Sequence, residues 1–215
     1  MKGFGRLLVI RNFEANEIRF LFIVICFIIA IGSYFQRKHK WDWMCLVGGM
    51  AFTVGADYFL ILQNQHLTGV LIFWFAHICY GIRAMIALLR HHPRYQLLFK
   101  HLPIVISVFL GIAFILFNLG QVFIAAGIYA FLFGVNLLIN VKARKQINNA
   151  PLILTGLTLF ALCDVMVLLY NVPIYFRIIP WLMGVFPLIW VFYLPAQLLL
   201  AVSAMDFREN RSGEK

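Results

Sequence analysis

The chain has 215 residues, of which 63% are hydrophobic and only 12% charged. A soluble domain is about half apolar, and a globule of this size has too little interior to hide the excess, so the composition excludes an ordinary water-soluble fold. Eighteen Lys+Arg against eight Asp+Glu give a net charge of +10, but the basic residues fall between apolar runs, which points to anionic lipid headgroups and not to nucleic acid.

In chain order, residues 1–18 form a basic tail with Lys2, Arg6 and Arg11, counted together with Arg19 at its end and read as an interfacial segment. Seven apolar runs follow, at approximately 19–36, 43–62, 67–89, 102–118, 120–141, 151–170 and 180–205. A spanning helix needs about 20 such residues. The first run resembles a signal peptide, but Arg37, Lys38 and Lys40 follow it directly, a stop-transfer pattern, so it is kept as a mature helix. Asn118–Gly120 separates the fourth and fifth runs, and Pro180, Pro187 and Pro195 punctuate the last. The expected fold is all-α: one polytopic transmembrane helix bundle over residues 19–206 with about seven spans, ending in a short tail at 207–215.

Short loops set orientation through their Lys and Arg. Arg37, Lys38, Lys40, Arg90, Arg94, Lys100, Lys142, Arg144, Lys145, Arg208, Arg211 and Lys215 fall on one side, whereas the opposite internal loops hold only Arg177. The C-terminus is therefore expected in the cytoplasm. Cys26, Cys45, Cys79 and Cys163 all lie in apolar runs without metal-type spacing and read as small buried hydrophobes.

Ionisable groups deep in a membrane are costly, by roughly 2.5–3.5 kcal/mol on insertion scales, and mark functional sites by default. Asp57 in the second run, His77 and Arg83 in the third and Asp164 in the sixth stand out. Counted from the run ends at about 1.5 Å per residue, Asp57 and Asp164 share a level some 8–9 Å below the outer helix ends. His77 lies slightly deeper. Phe73, His77 and Tyr80 share one helix face, and Arg83 extends that stripe inward. Tyr129, Asn136, Tyr193 and Gln197 add polar groups on the fifth and seventh runs. The plainer readings are snorkelling for Arg83, interface anchoring for the tyrosines and helix–helix hydrogen bonding for Asn and Gln. Two carboxyl groups sharing a dry site can divide the work, one delivering a proton while the other orients water or stabilises a developing cation. No lysine in the last run could bind retinal, and a second buried histidine for haem is lacking. Neither a nucleophile elbow nor a P-loop occurs, and no cofactor or metal is expected.

The stretch Gly55-Ala56-Asp57-Tyr58-Phe59-Leu60, then Gly69 through Phe73, His77 and Tyr80, resembles the YhhN-like family, which includes lysoplasmalogenases. Cys163-Asp164 is similar to its late Ser-Asp element, and Tyr193-Leu194-Pro195-Ala196-Gln197-Leu198-Leu199 to its last-helix element. Tyr129 falls where the family has a tyrosine. The resemblance covers residues 45–205. Ala56 and Cys163 depart from the pattern, and the Lys-Pro-Leu helix of the usual eight is not found. The resemblance implies a hydrolase of the bacterial plasma membrane that acts on ether bonds. It would cleave the vinyl ether of a lysoplasmalogen to a fatty aldehyde and a glycerophospho-base. Asp57, Asp164 and His77 would be catalytic. Tyr80, Arg83, Tyr129, Asn136, Tyr193 and Gln197 would line the lysophospholipid. A small transporter and a non-catalytic lipid-binding protein are the competing readings.

Overall fold

The computed structural model describes residues 2–36, 39–91, 121–147, 149–176 and 186–205. Six α-helices account for nearly all of them: α1 (Lys2–Gly32), α2 (Lys40–Asp57), α3 (His66–His91), α4 (Gln121–Ala143), α5 (Ala150–Phe176) and α6 (Phe186–Val202). No strand occurs among the described residues. The fold is an all-α membrane helix bundle. Among the described residues, five helical segments, Ala15–Gln36, Lys40–Leu62, His66–Leu89, Ile124–Ala143 and Ala150–Tyr170, are long and apolar enough to cross a bilayer, and Pro187–Val202 is a shorter apolar helix. The run expected at 102–118, the tail at 207–215 and the basic loop residues between 92 and 120 lie outside the described residues.

Residues 2–18 of the tail and the first span are one continuous helix, α1, rather than two segments. Nothing between Leu7 and Phe20 breaks a helix, for there is neither proline nor glycine there. A 3-10 turn, Ser33–Gln36, closes α1, with Ser33 Oγ donating to the Ala30 carbonyl at 2.7 Å. The Trp43 indole N–H reaches that same carbonyl at 3.0 Å and ties the start of α2 to α1.

The helices pack in sequence, α1 on α2, α2 on α3, α3 on α4, α4 on α5 and α5 on α6, and α6 returns against α1 to close the ring. Ile23, Cys26, Leu46, Met50, Phe73, Tyr80, Leu157, Phe160, Tyr193 and Leu200 fill its interior. Leu21, Ile25, Ile28, Phe75, Leu138, Leu168 and Val191 point outward and are exposed. So much apolar surface on the outside suits a lipid solvent and not water.

Two glycines set how closely α2 and α3 approach. A Cβ on Gly49 would stand 2.3 Å from the Tyr80 ring, and one on Gly69 2.4 Å from the Leu60 side chain. Between them α2 ends at Asp57 in a π-helical turn, Tyr58–Leu62, closed by the Gln63 N–H on the Tyr58 carbonyl at 3.1 Å. Asn64 then takes the left-handed conformation, φ 55°, which asparagine tolerates better than most residues. Such π turns are rare and recur at functional sites.

Candidate active site

Asp57, at the end of α2, is 3% exposed. Its carboxyl accepts a hydrogen bond from the Tyr193 hydroxyl on α6. Asp164, on α5, accepts from the Tyr129 hydroxyl on α4 at 2.8 Å. Two carboxyl groups from different helices are thus each held by a tyrosine from a third and a fourth.

His77 on α3 is 2% exposed, and its Nε2 lies 3.1 Å from the Tyr129 oxygen. The single Tyr129 proton goes to Asp164, so Nε2 carries the hydrogen in that contact. The opposite nitrogen, Nδ1, then accepts from the Asn136 amide at 3.5 Å. Asn136 in turn takes a hydrogen bond from Asn140 at 2.7 Å. Asn140, Asn136, His77 and Tyr129 therefore donate in one direction, toward Asp164. Bonds aligned this way polarise one another.

The Phe160 ring lies between His77 and Tyr193, the residue that holds Asp57. The Phe160 ring centroid is 5.4 Å from that of His77 and 5.4 Å from that of Tyr193. Phe73 and Phe133 close the side toward α3 and α4, with centroids 6.4 and 4.8 Å from His77. Tyr80 lies one turn inward of His77, its ring 6.0 Å away. Its hydroxyl is 3.2 Å from Thr53 Oγ1.

Gln197, one turn from Tyr193 on α6, is fully buried at 0% exposure. Neither its amide nitrogen nor its amide oxygen has a hydrogen-bond partner among the described residues. A buried amide left unpaired costs about 1–3 kcal/mol, which a polar guest would relieve.

Arg83 is drawn out of this cluster. Its Nε and Nη2 donate to the two Asp42 oxygens at 2.7 and 2.9 Å. Nη1 donates to Ser203 Oγ at 2.6 Å, and Nη2 also reaches the Ser203 carbonyl at 3.2 Å. Asn149 donates to that same carbonyl at 3.3 Å and to the carbonyl of Met205. Arg83 thus joins α2, α3 and the residue that follows α6 at the end of the bundle opposite Asp57.

The sequence reading did not single out Asp42, Thr53, Asn140 or Ser203. Asp42 carried a usable signal, as an acidic residue in the first turn of the helix preceding the one with a buried arginine. Thr53 and Asn140 carried one as well, for each lies four residues from a named or glycine position on the inner face. Among the described residues no three His, Cys, Asp or Glu side chains gather as metal ligands.

The chain matches the family model described as the YhhN family over residues 18–204. No curated protein and no solved structure matches it.

Proposed function

The chain belongs to the YhhN family, and from that premise we propose that it is an intramembrane lysoplasmalogenase, hydrolysing the vinyl ether of a lysoplasmenyl lipid to a fatty aldehyde and a glycerophospho-base. The observation that carries this reading is the pair of tyrosine-held carboxyl groups, Asp57 and Asp164, with the Phe160 ring between His77 and Tyr193. The family match supports it, because the YhhN family includes lysoplasmalogenases.

The chemistry follows from the substrate. Protonation of the vinyl ether carbon remote from oxygen gives an oxocarbenium ion. Water adds to it and loses a proton, and the hemiacetal collapses to aldehyde and alcohol. One group must give a proton to carbon, and another must take one from water. We assign the first role to Asp57, the more deeply buried carboxyl, which among the described residues receives one hydrogen bond, from Tyr193. Asp164 takes the second, because four residues donate in line toward it and favour its charged form as it accepts the water proton. His77 and Tyr129 hold it in place. The unpaired amide of Gln197 offers both a donor and an acceptor for the attacking water. Phe160, Phe133 and Phe73 supply apolar walls that exclude other water and carry electron-rich faces toward a developing cation.

The membrane in this reading is a bacterial plasma membrane with the C-terminus in the cytoplasm. The loop asymmetry supports that orientation. Lys40 and Lys142, Arg144 and Lys145 lie at one end of the bundle, whereas Gln63, Asn64 and Gln65 lie at the other. The alcohol product is freely diffusible, and the aldehyde stays in the lipid.

The test is aldehyde release from lysoplasmenyl lipid by the purified protein. Asp57→Asn and Asp164→Asn should each lower turnover by about 10²-fold or more. In D₂O the wild-type product should carry one deuteron on the carbon next to the aldehyde. Full activity in both variants ends the assignment.

A further inference from the structure

A lysophospholipid cut at Asp57 must place its phosphate a glycerol unit away, and Arg83, held by Asp42 and Ser203, lies at the far end of the bundle. A second arginine stands at the other end. Arg19 on α1 lies at the level of the active-site end of α2, because the neighbouring Phe20 ring packs 6.2 Å from Tyr58, the residue after Asp57. The Arg19 Cζ sits 4.5 Å from the centroid of the Trp190 ring. Its Nη1 donates to Asn16 at 3.0 Å. Trp190 in turn meets Tyr193, three residues on along the same face of α6, with centroids 6.0 Å apart. Tyr193 is the residue that holds Asp57. The guanidinium is therefore two ring contacts away from the hydroxyl on the candidate acid.

Two features make this more than a surface arginine. A guanidinium stacked on an indole keeps its N–H groups in its own plane, the geometry that grips phosphate with two parallel bonds. Trp190 Nε1 is buried and has no acceptor among the described residues. An indole N–H donates only, so a bare one in the interior costs about 1–3 kcal/mol until an oxygen arrives.

We propose that Arg19 and the Trp190 indole N–H form the phosphate subsite for a lysophospholipid headgroup. It lies one helical turn from the Tyr193–Asp57 pair. The proposal rests on the lysoplasmenyl reading for its substrate, but it makes its own prediction about binding. Arg19 supplies charge and a bidentate grip. Trp190 supplies both the platform and one donor. The glycerol then lies along α6 and carries the vinyl ether toward Asp57.

The test uses the full chain in nanodiscs and a non-cleavable alkyl lysophospholipid, with the matching alkylglycerol as the phosphate-free probe. Wild type should prefer the phosphorylated probe. Arg19→Gln should weaken its binding by about tenfold with a much smaller effect on the alkylglycerol. Arg19→Lys should recover part of the preference, and Trp190→Phe, which keeps the ring and removes the donor, should lose several-fold. Melting temperatures check that the variants fold. An unchanged preference in Arg19→Gln overturns the subsite, as does an equal loss on both probes. Chainless glycerophosphate binding as tightly as the lipid would also overturn it, in favour of a site for free phosphate. If the preference depends on Arg19 but no vinyl ether is cleaved, the subsite stands and only the hydrolase reading falls. If the vinyl ether is cleaved while Arg19→Gln keeps the wild-type ratio of KM between phosphorylated and phosphate-free substrates, the reverse holds.

Discussion

The Arg83 clasp and the Asp57–Asp164 cluster are both polar groups buried between helices, yet they differ in how completely they are bonded. In the clasp every nitrogen of the guanidinium donates, both Asp42 oxygens accept, and Ser203 accepts at its hydroxyl and its carbonyl. In the cluster each carboxyl receives one tyrosine hydroxyl, although a carboxylate has room for about four donors, and the Gln197 amide has no partner among the described residues. A saturated network fixes helices and leaves nothing over for a substrate. A half-satisfied one costs stability and keeps bonding capacity for a guest. The same chain thus separates the work of holding the bundle from the work proposed for its centre, with His77 and Arg83 less than two turns apart along α3.

That contrast can be broken in order of expected effect. Asp42→Ala leaves the buried Arg83 charge with Ser203 alone, and because Asp42 is 31% exposed the loss lies at the lower end of the about 3–5 kcal/mol for a buried pair. A steep fall in melting temperature should follow, with Asp42→Ala/Arg83→Leu recovering much of it. If the single variant melts like wild type, the clasp is not structural. Gly49→Ala drives a methyl group into the Tyr80 ring and should cost about 1–3 kcal/mol through overpacking. It should also shift the near-ultraviolet signal as Tyr80 leaves Thr53.

Tyr129→Phe and Tyr193→Phe sharpen the comparison from the other side. Each removes one hydroxyl that a carboxyl accepts, and each should lower turnover by about tenfold while melting changes little. A loss of stability without a loss of turnover would place these tyrosines with the clasp. Gln197→Leu has the smallest expected effect on stability, within about 1 kcal/mol and of either sign, because no bond seen here is lost. Its turnover should nonetheless fall. That split, activity without stability, is what an amide reserved for water predicts, and thermal melts beside rate measurements would read it.

Much of the bundle was legible from the apolar runs, because lipid forces each span to satisfy its own backbone within one long helix. Asp57, His77 and Asp164 were legible for the same reason, since charge is rare where it is costly. Two things were not. The reach of α1 back to Lys2 has no hydrophobic signature, as its first turns are basic. The pairing of particular side chains depends on helix rotation and neighbour order, which spacing along one helix does not determine. Arg83 shares the His77 stripe in sequence, but its long side chain reaches Asp42 and leaves the cluster. Arg19, read as part of a basic tail end, instead lies over Trp190. The π turn after Asp57 likewise left no mark in Tyr58–Leu62, five ordinary apolar residues.

The central claim is that Asp57 and Asp164 act on one substrate as a coupled pair. Single-turnover aldehyde release from lysoplasmenyl lipid by wild type, D57N, D164N and the double variant tests it most directly. Groups that act as a unit are strongly non-additive, so the double variant should be no slower than the slower single one. Two losses that multiply in full, or a single variant with wild-type rate, would contradict the account.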